Sequence, residues 1–206
     1  MTLKSKIVAP AVASSSVRRP RLTERLAEAP RRRVTSVIAG AGFGKSTLMA
    51  EWAEQHEVAW LALDADDATL TRFTAGLVDA LGLRIPDLPA DVGAAPGLAR
   101  GPDASADSLA RAEAFAATLC EALQERVHRT VGLVIDDLHE LPPGGPALRV
   151  VEALCRQAPP TVYLMLASRA ELPFSIDRLR GQGQVLELVG VDLAFSADEV
   201  PAVLEA

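Results

Sequence analysis

The run Ala39-Gly40-Ala41-Gly42-Phe43-Gly44-Lys45-Ser46-Thr47 sets three glycines at alternate positions ahead of a lysine and two hydroxyls. Glycine takes backbone conformations closed to other residues, so Gly40, Gly42 and Gly44 let the chain turn its N–H groups onto an anion. With Ala41 and Phe43 between them, these residues fit the Walker A phosphate-loop pattern, Ala39 standing where the first glycine is usual. A helix opening near Lys45 would point its positive end at the same anion. Lys45 then reaches β- and γ-phosphates, the Ser46 hydroxyl ligates Mg2+, and Thr47 belongs to the same cradle.

Such a loop needs an acidic residue at the end of another buried strand, and Val131-Gly132-Leu133-Val134-Ile135-Asp136-Asp137 supplies one. A carboxylate at the tip of an apolar strand is costly to bury unless a cation shares the site. Asp136 is therefore read as a second Mg2+ ligand, direct or through water. Asp137 stands where an acid orienting an attacking water would sit, although a helix cap or a hydrogen bond would serve equally. His139 reads as a polar neighbour. The apolar stretch Val162–Ala167 ends in Ser168-Arg169. A permanently charged guanidinium there is a candidate γ-phosphate sensor, or else a surface ion-pair partner of Glu171. Asp64, Asp66 and Asp67 make either a second metal site or a solvated acidic turn.

Positioning these groups takes strands and helices in alternation. Strands are expected at Arg33–Ala39, Val58–Leu63, Val131–Ile135, Thr161–Ala167 and Gln184–Val189. Helices are expected at Thr47–Gln55, Leu70–Leu81 and Ala147–Gln157, and from a Ser108 cap through the stripe Ala112, Phe115, Leu119 and Leu123. The alternation implies an α/β fold, a mostly parallel five-stranded sheet in a three-layer α/β/α sandwich. The Asp136 strand and the Thr161–Ala167 strand would be neighbours, with the loop strand beside them. Residues 1–33 form a basic lead-in, 34–192 the α/β domain with a Pro/Gly-rich insertion at 84–107, and 193–206 the start of a truncated further module. The last boundary rests on Ser196-Ala197-Asp198-Glu199, a capping-box signature that opens a helix with few residues left to complete it.

Composition narrows the classes. The chain of 206 residues is 49% hydrophobic and 23% charged, ordinary globular values, and with 4% aromatics its core must come from Ala, Val and Leu. No uncharged apolar run approaches the ~18 residues of a membrane span. Two cysteines, Cys120 and Cys155, make neither a disulfide framework nor a four-ligand zinc site, so a reduced, cytoplasmic protein is expected. The net charge of −6 argues against a general nucleic-acid surface. It is uneven: residues 1–33 hold nine Lys/Arg against two Glu, leaving 12 basic and 25 acidic residues beyond. Some of those arginines face a phosphate, or the segment is simply solvated. It lacks the amphipathic period of a transit peptide. No Asn/Thr-Lys-x-Asp guanine signature and no dinucleotide Gly-x-Gly-x-x-Gly occurs.

Several stretches unrelated to generic phosphate binding carry a resemblance. Val37 through Trp52, Val58-Ala59-Trp60-Leu61-Ala62-Leu63-Asp64, Leu133-Val134-Ile135-Asp136-Asp137-Leu138-His139, and Leu166-Ala167-Ser168-Arg169 resemble the nucleotide-binding domain of MalT-like regulators. These are the large LuxR-type members of the STAND class of signal-transduction ATPases. The resemblance implies a P-loop NTPase fold of the AAA-like, additional-strand type, binding ATP or ADP with Mg2+. It implies a switch, with ADP holding a resting monomer and ATP plus an inducer allowing self-association, and a weak ATPase as reset. DNA would be contacted only by a C-terminal module not present in 206 residues, and no membrane is involved. Val17-Arg18-Arg19-Pro20-Arg21-Leu22 resembles the segment near the nucleotide base, which makes Arg18 a candidate contact. Two departures stand out. Gly40 replaces a common proline, and Leu138 stands where Tyr or Phe is usual. Outside the resemblance, a small-molecule kinase or a subunit of a ring-forming mechanical ATPase would also use such a loop. Arg178 and Arg180 are the clustered arginines available to a kinase lid.

Overall fold

The β-branched run Val34–Ile38 forms strand β1, whose pairings set the frame for the whole sheet. In this computed structural model, residues 3–14, 16–86, 88, 92 and 106–201 are described. Two short helices precede β1, α1 (Leu3–Lys6) and α2 (Pro20–Leu26). After it come α3 (Lys45–Ala53), β2 (Val58–Ala62), α4 (Leu70–Gly82), α5 (Ala106–Arg126) and β3 (Val131–Asp136). Then follow α6 (Pro146–Gln157), β4 (Val162–Ser168), α7 (Asp177–Gly181), β5 (Val185–Val189) and α8 (Gly190–Leu193).

The sheet order is β2-β3-β4-β1-β5, and every pairing is parallel. Strand β4 is thus inserted between the strand that leads into the glycine loop and the strand that ends in Asp136, as the additional-strand fold requires. Ile38 is level with both Ser168 and Val189, and Ala62 is level with Asp136. The carboxyl ends of β1, β3 and β4 therefore share one sheet edge, the edge at which open α/β sheets bind ligands.

Strands buried on both faces read as continuous apolar runs, and successive side chains go to opposite layers. From β4, Leu164 and Leu166 join Phe73, Leu77, Phe115, Leu119 and Val150 of α4, α5 and α6. Tyr163, Met165 and Ala167 join Leu48 and Trp52 of α3 and Leu22 and Leu26 of α2. Each leucine buried this way contributes about 2 kcal/mol. Gly132, in the middle of β3, has a packing reason. A Cβ there would lie 2.7 Å from the Tyr163 ring, whose hydroxyl accepts from Trp52 Nε1 at 3.1 Å.

Each expected strand and helix is observed, most with ends within two residues, while α1, α2, α7 and α8 are not among those expected. Helix α5 begins at Ala106, ahead of the expected Ser108 cap. Ser108 is buried in the first turn, and Asp107 supplies negative charge to the helix's positive end. Most of the insertion at 84–107 lies outside the described residues. Near the other end, the Glu199 carboxylate accepts from Ser196 N at 2.9 Å, as a capping box would; residues 202–206 lie outside the described set. Among the described residues no helix is long and apolar enough to cross a membrane.

Candidate functional site

Beyond Ile38 the chain turns through Gly42 at φ 80° and Gly44 at φ 73°, left-handed conformations that favour glycine. Gly44 is also a point of close approach: a Cβ there would lie 2.8 Å from Arg19 Nη2. Lys45 opens α3, and its ammonium folds back to donate to Ala39 O at 2.8 Å and Gly40 O at 2.9 Å. Only 6% of Lys45 is exposed. Burial pulls its pKa down, the carboxylates of Asp137 and Asp136 oppose this, and the charge of Arg169 adds to it. All four charges share one field.

Asp136 is 4% exposed at the tip of β3. Burial pushes its carboxyl pKa up, a side-chain hydrogen bond with Ser46 works against that, and the neighbouring Asp137 charge adds to it. Asp136 Oδ1 also accepts from Asp137 N at 2.9 Å. A carboxylate and a hydroxyl meeting at a strand tip are hard oxygen donors of the kind Mg2+ takes, so the residues fit that ion. Asp137 has φ 57°, and among the described residues it is the one non-glycine in the left-handed region. Such strain persists where surrounding structure enforces it. His139 Nδ1 lies 3.9 Å from Asp137 Oδ1, and both its ring nitrogens are buried without a hydrogen-bond partner. Arg169 follows β4 on the same edge, exposed and with no ion-pair partner among the described residues, Glu171 included.

Beside the loop opens a cavity of about 470 Å3, a volume suited to a small molecule. Val17 and Arg19 form one side, Gly42, Phe43 and Thr47 a second, Leu193 and Phe195 the third. Arg19, 5% exposed, ties the three together. Its Nη1 donates to Leu193 O at 2.9 Å and its Nη2 to Gly44 O at 3.2 Å, and the guanidinium lies 5.4 Å from the centre of the Phe195 ring. Arg21 grips the Glu199 carboxylate through two nitrogens at 3.0 and 3.1 Å, and Arg25 reaches Asp192 Oδ1 at 2.5 Å.

The sequence profile described as the AAA ATPase domain matches residues 18–167. The chain belongs to the AAA ATPase domain family. This AAA ATPase domain is also similar to the HTH-type transcriptional regulator MalT. It is 31% identical to that of Serratia proteamaculans and 32% to that of Yersinia enterocolitica, over 205 residues in each. Each alignment covers 97% of this chain and 21% of the relative, so the chain spans about a fifth of the length of these curated proteins. Among solved structures, a signal transduction ATPase with numerous domains and a tetratricopeptide repeat sensor, from Pyrococcus horikoshii, shares the fold. Its TM-score is 0.52 at 12% identity, over 95% of this chain and 26% of that one.

In this AAA ATPase domain the loop residues Gly40 to Thr47, with Asp136, Asp137 and Arg169, converge on one sheet edge. Arg18 lies apart from the cavity wall: it is exposed, 4.0 Å from the Glu54 carboxylate. The adjacent Arg19 takes the inward position, and sequence reasoning did not single it out, nor Leu193 and Phe195. The acidic turn after β2 is solvated at Asp66, but Asp64 and Asp67 share an ion pair with Lys6 rather than a metal. Lys6 Nζ bridges Asp64, at 2.8 Å, and Asp67, and both Lys6 and Asp67 are buried. The ammonium stands between Asp64 and Asp67 where a metal would have to sit, while Asp66 remains exposed to solvent. Arg180 is engaged by Glu187 and Asp177 on the β5 side rather than near the loop.

Proposed function

We propose that this AAA ATPase domain binds ATP and ADP with Mg2+ and serves as the nucleotide-operated switch of a longer, cytoplasmic, MalT-like transcriptional activator, with slow hydrolysis as its reset. The observation that carries the reading is the shared edge: the glycine loop, the Ser46–Asp136 pair and a cavity closed by the 193–195 segment lie side by side. In this reading the loop N–H groups and the N-terminus of α3 hold the phosphates. Lys45 exchanges its two loop carbonyls for β- and γ-phosphate oxygens. Ser46 and Asp136 hold Mg2+, which when bound neutralises charge on the phosphates. Asp137, fixed by its own backbone conformation and by Asp136, orients the water that attacks the γ-phosphate. Arg169, free of ion-pair partners among the described residues, senses that phosphate. The base enters the cavity between Val17, Phe43 and Phe195, where Arg19 rather than Arg18 lines the wall.

Arg19 binds both the loop, at Gly44 O, and Leu193 O, while Arg21 and Arg25 bind the 187–199 segment alone, so Arg19 gives nucleotide state a route to that segment. ADP would keep that segment clasped, and ATP with an inducer would release it for self-association. DNA contact belongs to a module of the longer protein. The test is a calorimetric titration with ATP, ADP and GTP, each with Mg2+. Adenine nucleotides binding well above GTP, with turnover slower than release, support the switch. Equal binding of GTP, or no binding at all, overturns it.

A further inference from the structure

The connection from β4 to β5 crosses β1 with only the five-residue α7, whereas the other crossovers carry helices of nine residues or more. On the side covered elsewhere by α4, α5 and α6, a cavity of about 390 Å3 is left over β1 and β5. The strand pleat aims Ser36 and its register partner Glu187 into it. Phe174 of the connection, packed against the core, gives it an apolar wall, and Glu171, Asp177 and Arg180 stand at its rim.

Two features of this cavity call for a ligand. Ser36 is 1% exposed, and its Oγ is buried with no hydrogen-bond partner among the described residues. A buried hydroxyl in that condition is costly and uncommon, and Ser36 is one of the residues lining the cavity. The rim is also unbalanced. Among the described lining residues the one cation, Arg180, is already held by Glu187 at 2.8 and 3.0 Å and by Asp177, and Glu171 adds a third carboxylate with no cation of its own there.

We propose that this cavity binds a small organic amine, with a compact apolar body, a hydrogen-bonding group directed at Ser36 and an ammonium at the carboxylate rim. The site lies on the sheet face opposite α3 and is independent of the nucleotide reading.

Tyramine, phenethylamine and 4-ethylphenol are suitable probes, since the second lacks the hydroxyl and the third the charge. Titrations of the full chain followed by backbone amide shifts should show tyramine binding in the millimolar range or tighter. Shifts should centre on residues 36, 174 and 187, with each of the other two compounds at least threefold weaker. Ser36→Ala should reduce tyramine to the affinity of phenethylamine and leave phenethylamine unchanged, while the Tm of the free protein holds or rises as an orphan hydroxyl is removed. The exposed pair Glu171→Gln with Asp177→Asn should reduce tyramine to the affinity of 4-ethylphenol, and Lys45→Ala should change nothing here. No binding by any of the three, or tyramine affinity indifferent to both the Ser36 and the rim variants, overturns the proposal.

Discussion

The Arg19 guanidinium donates to the Leu193 carbonyl at 2.9 Å, across 174 positions of sequence, while its other terminal nitrogen holds the Gly44 carbonyl at 3.2 Å. One side chain thereby ties the glycine loop to the segment leaving β5. Hydrogen bonds from a charged donor contribute about 2 kcal/mol when buried. We predict that Arg19→Ala lowers stability by about that amount and speeds hydrogen exchange at residues 193–195 more than at β4. Exchange unchanged at 193–195 would mean that the segment is held by Arg21 and Arg25 alone.

Lys45 carries a charge whose present partners are two loop carbonyls. Lys45→Ala is expected to weaken ATP and ADP binding alike by at least tenfold, about 1.4 kcal/mol, in calorimetric titration. Affinity indistinguishable from the unaltered protein would remove Lys45 from the site.

Arg169 should discriminate between nucleotides, since only ATP offers a γ-phosphate. We expect Arg169→Ala to weaken ATP several-fold more than ADP when both are titrated with Mg2+. Equal losses would assign Arg169 a structural role.

The pH dependence of the nucleotide-free protein should report Asp136. Its native pKa is raised above the ordinary 3.8, chiefly by burial. Between those two values the native state holds more protons than the unfolded state, so this group's contribution to stability falls as pH rises through the window. Asp136→Asn should flatten that slope and raise the nucleotide-free Tm at pH 7, while weakening Mg2+-dependent nucleotide binding. A lower Tm at pH 7 would falsify the assignment of an uncompensated buried charge.

What could be read from sequence was local. Gly40 to Thr47 act through spacing along a single turn, and Asp136 through the apolar strand that precedes it, so both were legible. The choice between Arg18 and Arg19 was not. Adjacent residues ahead of a helix point in different directions, and which one turns inward depends on how α2 packs Leu22 and Leu26 against α3. Lys6 and Asp67 are likewise 61 positions apart, and nothing in either stretch announces the other. The third wall of the cavity, Leu193 and Phe195, is defined only once the sheet brings the end of β5 beside Phe43. The strain at Asp137 has no sequence signal, because aspartate is as common in ordinary turns.

The strand order sets a schedule for assembly. β1, which ends in the glycine loop, pairs with β4 and β5 among the described residues. A chain growing from its N-terminus at about 5–20 residues per second has made the loop long before residues 162–168 exist to seat it. β2 and β3 can pair in the interval, but β1 has no neighbour to join. The cavity waits longer still, for residues 193–195. On the proposed reading, nucleotide would stabilise chiefly this late closure, when residues 193–195 meet the loop at Arg19.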